Sequence, residues 1–162
     1  MKTVYLGIGS NVGDREANLR EALERLEAAG IRVARRSSIY ETEPRDLRDQ
    51  PWFLNAVVEV ETDLFPLQLF AHIQNVEREM GRRRLTPKGP RNIDIDILFY
   101  GRSVIDTADL QVPHPRIAQR RFVLEPLSEI ASEFRHPVSG KTAREMLAAI
   151  EPQAVRRSNL TL

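Results

Sequence analysis

Residues 3–9 carry the pattern of a first strand, after which the hydrophobic period changes to that of a helix. Leu19, Ala22, Leu23 and Leu26 share one helical face up to about Ala29, and Gly30 stands at the usual C-terminal position. The strand ends in Gly7-Ile8-Gly9-Ser10-Asn11-Val12-Gly13-Asp14. Its Gly-x-Gly-x-x-x-Gly spacing departs from the dinucleotide-binding fingerprint, so a tight turn and a helix start are expected there. Residues 31–42 read as a second strand, rich in serine, arginine and β-branched side chains. Phe53–Thr62 alternates strictly: Phe53, Asn55, Val57, Glu59 and Glu61 face one way, Leu54, Ala56, Val58 and Val60 the other. Pro66 opens a second helix that runs to Gly81 with Leu69, Ile73, Val76 and Met80 inward. Glu77 sits at the margin of that stripe, where a solvated flank is favoured over a group pointing into a cleft.

Residues 93–97 alternate again, with Ile93, Ile95 and Ile97 on one side and Asp94 and Asp96 on the other. Downstream, Pro113 and Pro115 clamp His114 in an extended conformation. Residues 128–141 read as mixed turns. Thr142 with Glu145 forms a capping box for a last helix carrying Met146, Leu147 and Ile150. The order is β-α-β-β-α-β with a C-terminal extension, an α+β, ferredoxin-like arrangement in which helices pack on an antiparallel sheet. A single domain over residues 1–162 is expected.

Composition narrows the function classes. A hydrophobic content of 41% and a charged content of 29% are those of an ordinary globular protein. The formal net charge of +1 implies no general affinity for nucleic acid or membrane. The absence of cysteine excludes disulfides and thiolate metal sites. No stretch approaches the 18 apolar residues of a membrane span, and the first residues are too weakly apolar for a signal peptide. A cytoplasmic protein is expected.

The chemistry concentrates between residues 82 and 96. On a strand the Cα atoms of Asp94 and Asp96 lie roughly 6.5–7 Å apart, so their carboxylates converge. Two such charges about 4 Å apart repel by roughly 4 kcal/mol at an effective dielectric near 20. A divalent cation between them removes that cost, and oxygen-only ligands suit Mg²⁺. A solvated strand face bearing two acids is the plainer reading of Asp-x-Asp alone. The neighbourhood favours the metal: Arg82, Arg83, Arg84, Lys88 and Arg91 precede the acids with no acid among them. Residues 82–91 also lack apolar periodicity and contain Pro87, Gly89 and Pro90, so a mobile lid is expected. Gly140-Lys141-Thr142 fails as a P-loop because Arg135 occupies the place of the first glycine.

Taken together, separated motifs of the chain resemble the 6-hydroxymethyl-7,8-dihydropterin pyrophosphokinase family of folate biosynthesis. They are Gly-Ser-Asn at 9–11, Tyr-Glu-Thr-Glu-Pro at 40–44, Asp-Gln-Pro-x-Phe-Leu-Asn at 49–55, and Glu77 with Gly-Arg-x-Arg at 81–84. Gly-Pro-Arg-Asn-Ile-Asp-Ile-Asp-Ile-Leu at 89–98, Pro-His-Pro-Arg at 113–116 and Arg-x-Phe-Val-Leu-x-Pro-Leu at 120–127 complete the set. The resemblance implies transfer of diphosphate from ATP to the pterin's hydroxymethyl oxygen, with two Mg²⁺ ions held at Asp94 and Asp96. It implies Arg82, Arg84, Arg91, Asp94 and Asp96 as catalytic residues. ATP would be held by Gln74, Glu77, Ile97, His114 and Arg120 together with Arg82, Arg84 and Arg91. The pterin would stack between Phe53 and Phe122, with Thr42, Pro44, Asn55 and Asp94 around it. Its partners would be these small molecules and the protein a monomer. The chain departs from the family at Lys88, where some members carry an aromatic residue, and at Arg45-Asp46-Leu47, often a glycine-containing segment. The rival readings are a metal-dependent nucleotidyl transferase or cyclase and a non-catalytic pterin- or nucleotide-binding module.

Overall fold

The computed structural model describes residues 1–44, 49–81 and 91–162. Arg82, Arg84 and Lys88, the 45–47 departure and nearly all of the expected lid lie outside the described residues.

The predicted element order is present. Strand β1 (Lys2–Ser10) leads through a turn into α1 (Arg15–Ala28), followed by β2 (Arg32–Arg36) and β3 (Tyr40–Thr42). Next come β4 (Phe53–Thr62), α2 (Pro66–Glu79) and β5 (Asp94–Tyr100). The C-terminal part adds a small hairpin of β6 (Ile105–Asp106) and β7 (Gln111–Val112), helices α3 (Arg121–Ala131) and α4 (Ala143–Ala149), and strand β8 (Val155–Arg157).

The main sheet runs β5-β1-β4-β3-β8, with β2 also paired to β4, and every pairing in it is antiparallel. This is the ferredoxin-like order, with β8 added at an edge. The stretch predicted as one strand over 31–42 is broken at Ser37. Its hydroxyl accepts a bond from the Val57 N–H at 2.9 Å, while its own N–H donates to the Val57 carbonyl at 2.9 Å. A side chain thus replaces one rung of the ladder and splits the strand into β2 and β3.

Both faces of the sheet are covered. Helix α1, capped by Asp14 accepting from the Ala17 N–H at 3.1 Å, buries Leu19, Ala22, Leu23 and Leu26. With Leu69, Ile73 and Val76 of α2 they pack on Leu6, Ile8, Ile93, Ile95 and Ile97. On the other face Val123, Leu124 and Leu127 of α3 and Met146 of α4 pack on Tyr5, Val57, Leu98 and Phe99. Helix α3 extends four residues into the stretch expected as turns, because Val123, Leu124 and Leu127 continue an apolar stripe at helical spacing. The predicted capping box is made: Glu145 accepts from the Thr142 N–H at 2.9 Å and the Thr142 hydroxyl from the Glu145 N–H at 3.1 Å.

Candidate active site

Three neighbouring strands, β5, β1 and β4, make the floor of the site. Cross-strand register places Asp94, Gly9 and Asn55 in one row, and Asp96, Gly7 and Val57 in the next. Gly7 and Gly9 lie inside β1, the middle of the three, as the strand expected over 3–9 requires, and Gly13 sits in the turn before α1. A Cβ on Gly9 would stand 2.4 Å from the Asn55 side-chain oxygen, far inside van der Waals contact. That missing methyl is the space the Asn55 amide occupies. The amide Nδ2 donates to the Thr42 hydroxyl at 2.6 Å, and both side chains are buried.

Above this floor opens a cavity of about 430 Å³. Arg91, Asp94 and Asp96 line one part of it, Thr42, Phe53 and Asn55 another, and Arg120, Phe122 and Val123 close it from α3 and the turn before it. Each aromatic ring carries a guanidinium: Arg91 lies 4.7 Å from the centre of Phe53, and Arg120 lies 5.5 Å from that of Phe122. The same arginines reach the acids, Arg91 Nε being 3.4 Å from Asp94 Oδ2 and Arg120 Nη1 4.0 Å from Asp96 Oδ2.

The acids feel one another. The Asp96 carboxyl is pushed up to about 7, first by burial and then by the charge of Asp94, with Glu77 adding to it and Arg120 and Arg91 opposing. Burial, helped by the positive charge of Arg120, pushes the His114 imidazole down to about 4, so it is neutral near pH 7. Its Nδ1 accepts from the Arg116 N–H at 3.2 Å, which leaves Nε2 to carry the proton.

The remaining expected residues are placed less uniformly. Glu77 is not on a solvated flank: its Oε2 accepts from the Ile95 N–H at 2.9 Å. The reason is that β5 is an edge strand, whose outward N–H needs an acceptor from α2. Ile97 sends its side chain into the core on the far face, Gln74 is exposed on α2, and Pro44 is buried beside the cavity without lining it.

Other residues of the site carried no periodic signal. Glu43, Gln50, Arg116 and Gln119 line the cavity from loops and a short turn. Asn11 is 1% exposed and joins both sides of the site. Its Nδ2 donates to Gln50 Oε1 at 2.9 Å and to the Pro51 carbonyl at 3.0 Å. Its Oδ1 accepts from the Arg91 N–H at 2.9 Å, and its own N–H donates to the Arg91 carbonyl at 3.1 Å. The only hint in sequence is its place in Gly-Ser-Asn, directly after the first strand.

Two carboxylates lining one cavity with arginines beside them, set across one glycine from a buried amide and two aromatic rings, suit an enzyme that transfers phosphate to a flat-ringed substrate. The comparisons place it more narrowly. The chain belongs to the 7,8-dihydro-6-hydroxymethylpterin-pyrophosphokinase family, whose profile matches residues 5–132. It is 46% identical over 143 residues to the 2-amino-4-hydroxy-6-hydroxymethyldihydropteridine pyrophosphokinase of Bacillus subtilis, covering 87% of this chain and 86% of that one. With the protein of the same name from Methylorubrum extorquens it shares 44% identity over 158 residues, covering 97% and 99%. It is 45% identical over 139 residues to the folic acid synthesis protein fol1 of Pneumocystis carinii, covering 86% of this chain but only 19% of that longer protein. The fold matches that of Plasmodium falciparum HPPK-DHPS with a TM-score of 0.74 at 18% identity, over 91% of this chain and 43% of that one.

Proposed function

We infer that the protein transfers the terminal diphosphate of ATP to the hydroxymethyl oxygen of 6-hydroxymethyl-7,8-dihydropterin, releasing AMP and the pterin diphosphate. Family membership carries the reaction. The observation that carries its location is the row Asp94-Gly9-Asn55, which sets a charge-handling end and a ring-reading end side by side on one floor.

The pterin lies on that floor between Phe53 and Phe122, its polar edge met by Asn55 and the Thr42 segment. Asn55 discriminates because a ring lacking the matching edge leaves the amide unpaired in a buried place. The residues fit a divalent cation: two carboxylates face one cavity, and burial together with the charge of Asp94 raises Asp96, a cost that a bound cation would offset. Among the described residues no cluster of three or more acids or histidines is present, so phosphate and water oxygens complete the shell, as Mg²⁺ prefers. Two Mg²⁺ ions bound there supply neutralisation of the phosphate charge and alignment of the reacting oxygens. Arg91 and Arg120 stand beside the acids and orient the phosphates, and Arg82 and Arg84 join them by the family resemblance. His114, neutral, offers an N–H to the nucleotide. Gln74 and Glu77 hold its outer side, and any contact from Ile97 comes from its main chain. The protein acts as a cytoplasmic monomer, which sedimentation tests.

Incubation with ATP, Mg²⁺ and the hydroxymethyl pterin is expected to give AMP and pterin diphosphate in equal amounts. Release of pyrophosphate would instead mark a nucleotidyl transferase. Asp96→Ala is expected to keep the fold, since one of two repelling acids is gone, and to lose nearly all turnover. Near-normal activity in that folded variant would remove the metal role.

A further inference from the structure

Strand β3 has only three residues, yet it carries Thr42, which holds the Asn55 amide. What fixes its free side is the C-terminal strand. Tyr40, Glu41 and Thr42 pair with Arg157, Arg156 and Val155 of β8. Beyond the last pair the contact continues onto Glu43, which lines the cavity. The Glu43 N–H donates to the Ala154 carbonyl at 3.1 Å, and the Ala154 N–H donates to Glu43 Oε1 at 3.1 Å. Gln153 Nε2 donates to the Glu43 carbonyl at 3.2 Å. Gln153 and Ala154 lie outside the stretch matched by the family profile, which ends at residue 132.

We propose that Gln153 and Ala154 form a clamp that positions Glu43 and Thr42, and through Thr42 the amide of Asn55, for recognition of the flat heterocyclic substrate. Gln153 is a positioning residue: it is 8% exposed and does not line the cavity. Completing a sheet edge does not require it. Among the described residues its buried Oε1 has no hydrogen-bond partner, a cost to the folded state that an apolar residue of similar size would lift. A residue kept for stability would not carry that cost. One kept to hold the Glu43 carbonyl in place would.

The inference rests on the pyrophosphokinase reading, and the test separates the two. Formation of AMP and pterin diphosphate by the wild-type protein checks the reading alone. In Gln153→Leu, KM and Kd for the pterin are expected to rise about tenfold, the effect of one buried hydrogen bond. KM for ATP and kcat should stay at wild-type values, and the thermal midpoint should hold or rise. Glu43→Ala is expected to raise the pterin Kd similarly, and Glu43→Gln, whose amide oxygen still accepts from Ala154, to restore it. The double variant Gln153→Leu/Glu43→Ala should show no further loss. A pterin Kd unchanged in Gln153→Leu would overturn the clamp, as would equal losses for pterin and ATP. If Gln153→Leu does not fold, the Glu43 pair decides: failure of Glu43→Gln to restore binding would overturn it.

Discussion

At Gly9 a single hydrogen in place of a methyl decides where the Asn55 amide can sit. A strand glycine lacks a packing side chain and is costly for that reason; here the vacated space is filled from the neighbouring strand. Gly9→Ala puts a carbon 2.4 Å from Asn55 Oδ1, and with ordinary strand φ at that position the backbone itself tolerates alanine. The amide must give way. Pterin binding is expected to weaken by about 1–3 kcal/mol, the range for leaving a buried polar group unpaired, while ATP binding holds; calorimetry with each ligand reads the difference. His114 acts on stability instead. The folded chain holds it down to about 4 against an ordinary 6.5, so the unfolded chain takes up a proton first as pH falls. Its contribution is therefore complete above pH 6.5 and is lost as pH drops from 6.5 towards 4. Thermal midpoints measured across that window should decline, and less steeply in His114→Gln.

Strands and helices turn these single residues into a site, and here sequence and structure part company in instructive ways. The strand β5 was legible because its period of two separates three isoleucines from two acids, and the core needs only that alternation. Phe53 and Asn55 on one face of β4 were legible for the same reason. Glu77 was not, since its direction depends on how α2 is rotated against an edge strand whose free N–H it caps. Gly9 was legible as part of the first strand, but the space it leaves for Asn55 was not, because a glycine inside a strand becomes intelligible only beside its cross-strand neighbour. Strand β8 is short and polar, and nothing in its own residues marks the partner it covers. Asn11 belongs to this scale too, as it ties the end of β1 to the entries of β4 and β5. Asn11→Ala removes three side-chain bonds at a site 1% exposed, so the Gln50–Pro51 segment ahead of Phe53 is released and Arg91 keeps only its main-chain bond to residue 11. Affinity for pterin and for ATP should fall together, and stability by about 1–3 kcal/mol from the stranded donors and acceptors. A loss confined to one ligand in titrations of the variant would show that the two sides of the site are held independently.

Across the whole molecule the two cores have different neighbours. The one under α1 and α2 supports the sheet from behind; the one under α3 and α4 shares its helix with Arg120 and Phe122 at the cavity rim. Leu19 and Leu127 are each 0% exposed, one in each core. Truncating either to alanine should cost about 2–5 kcal/mol of stability, as denaturant midpoints will show. Only Leu127→Ala should also weaken pterin binding, because α3 can then settle away from the rim. Equal pterin affinities in the two variants, measured below their unfolding transitions, would mean that the rim is held by its own contacts.

The placement of Asp94 and Asn55 on either side of Gly9 turns the backbone into a gauge. Neighbouring strands lie about 4.8 Å apart wherever they hydrogen-bond, so the two positions are separated by about 10 Å whatever the side chains around them do. A ring whose hydroxyl is carried one carbon farther would fit between the aromatics and still present its oxygen at the wrong station. On the proposed placement of the two substrates, the alcohol that receives the diphosphate would be measured out by strand spacing, a quantity no side-chain substitution rescales.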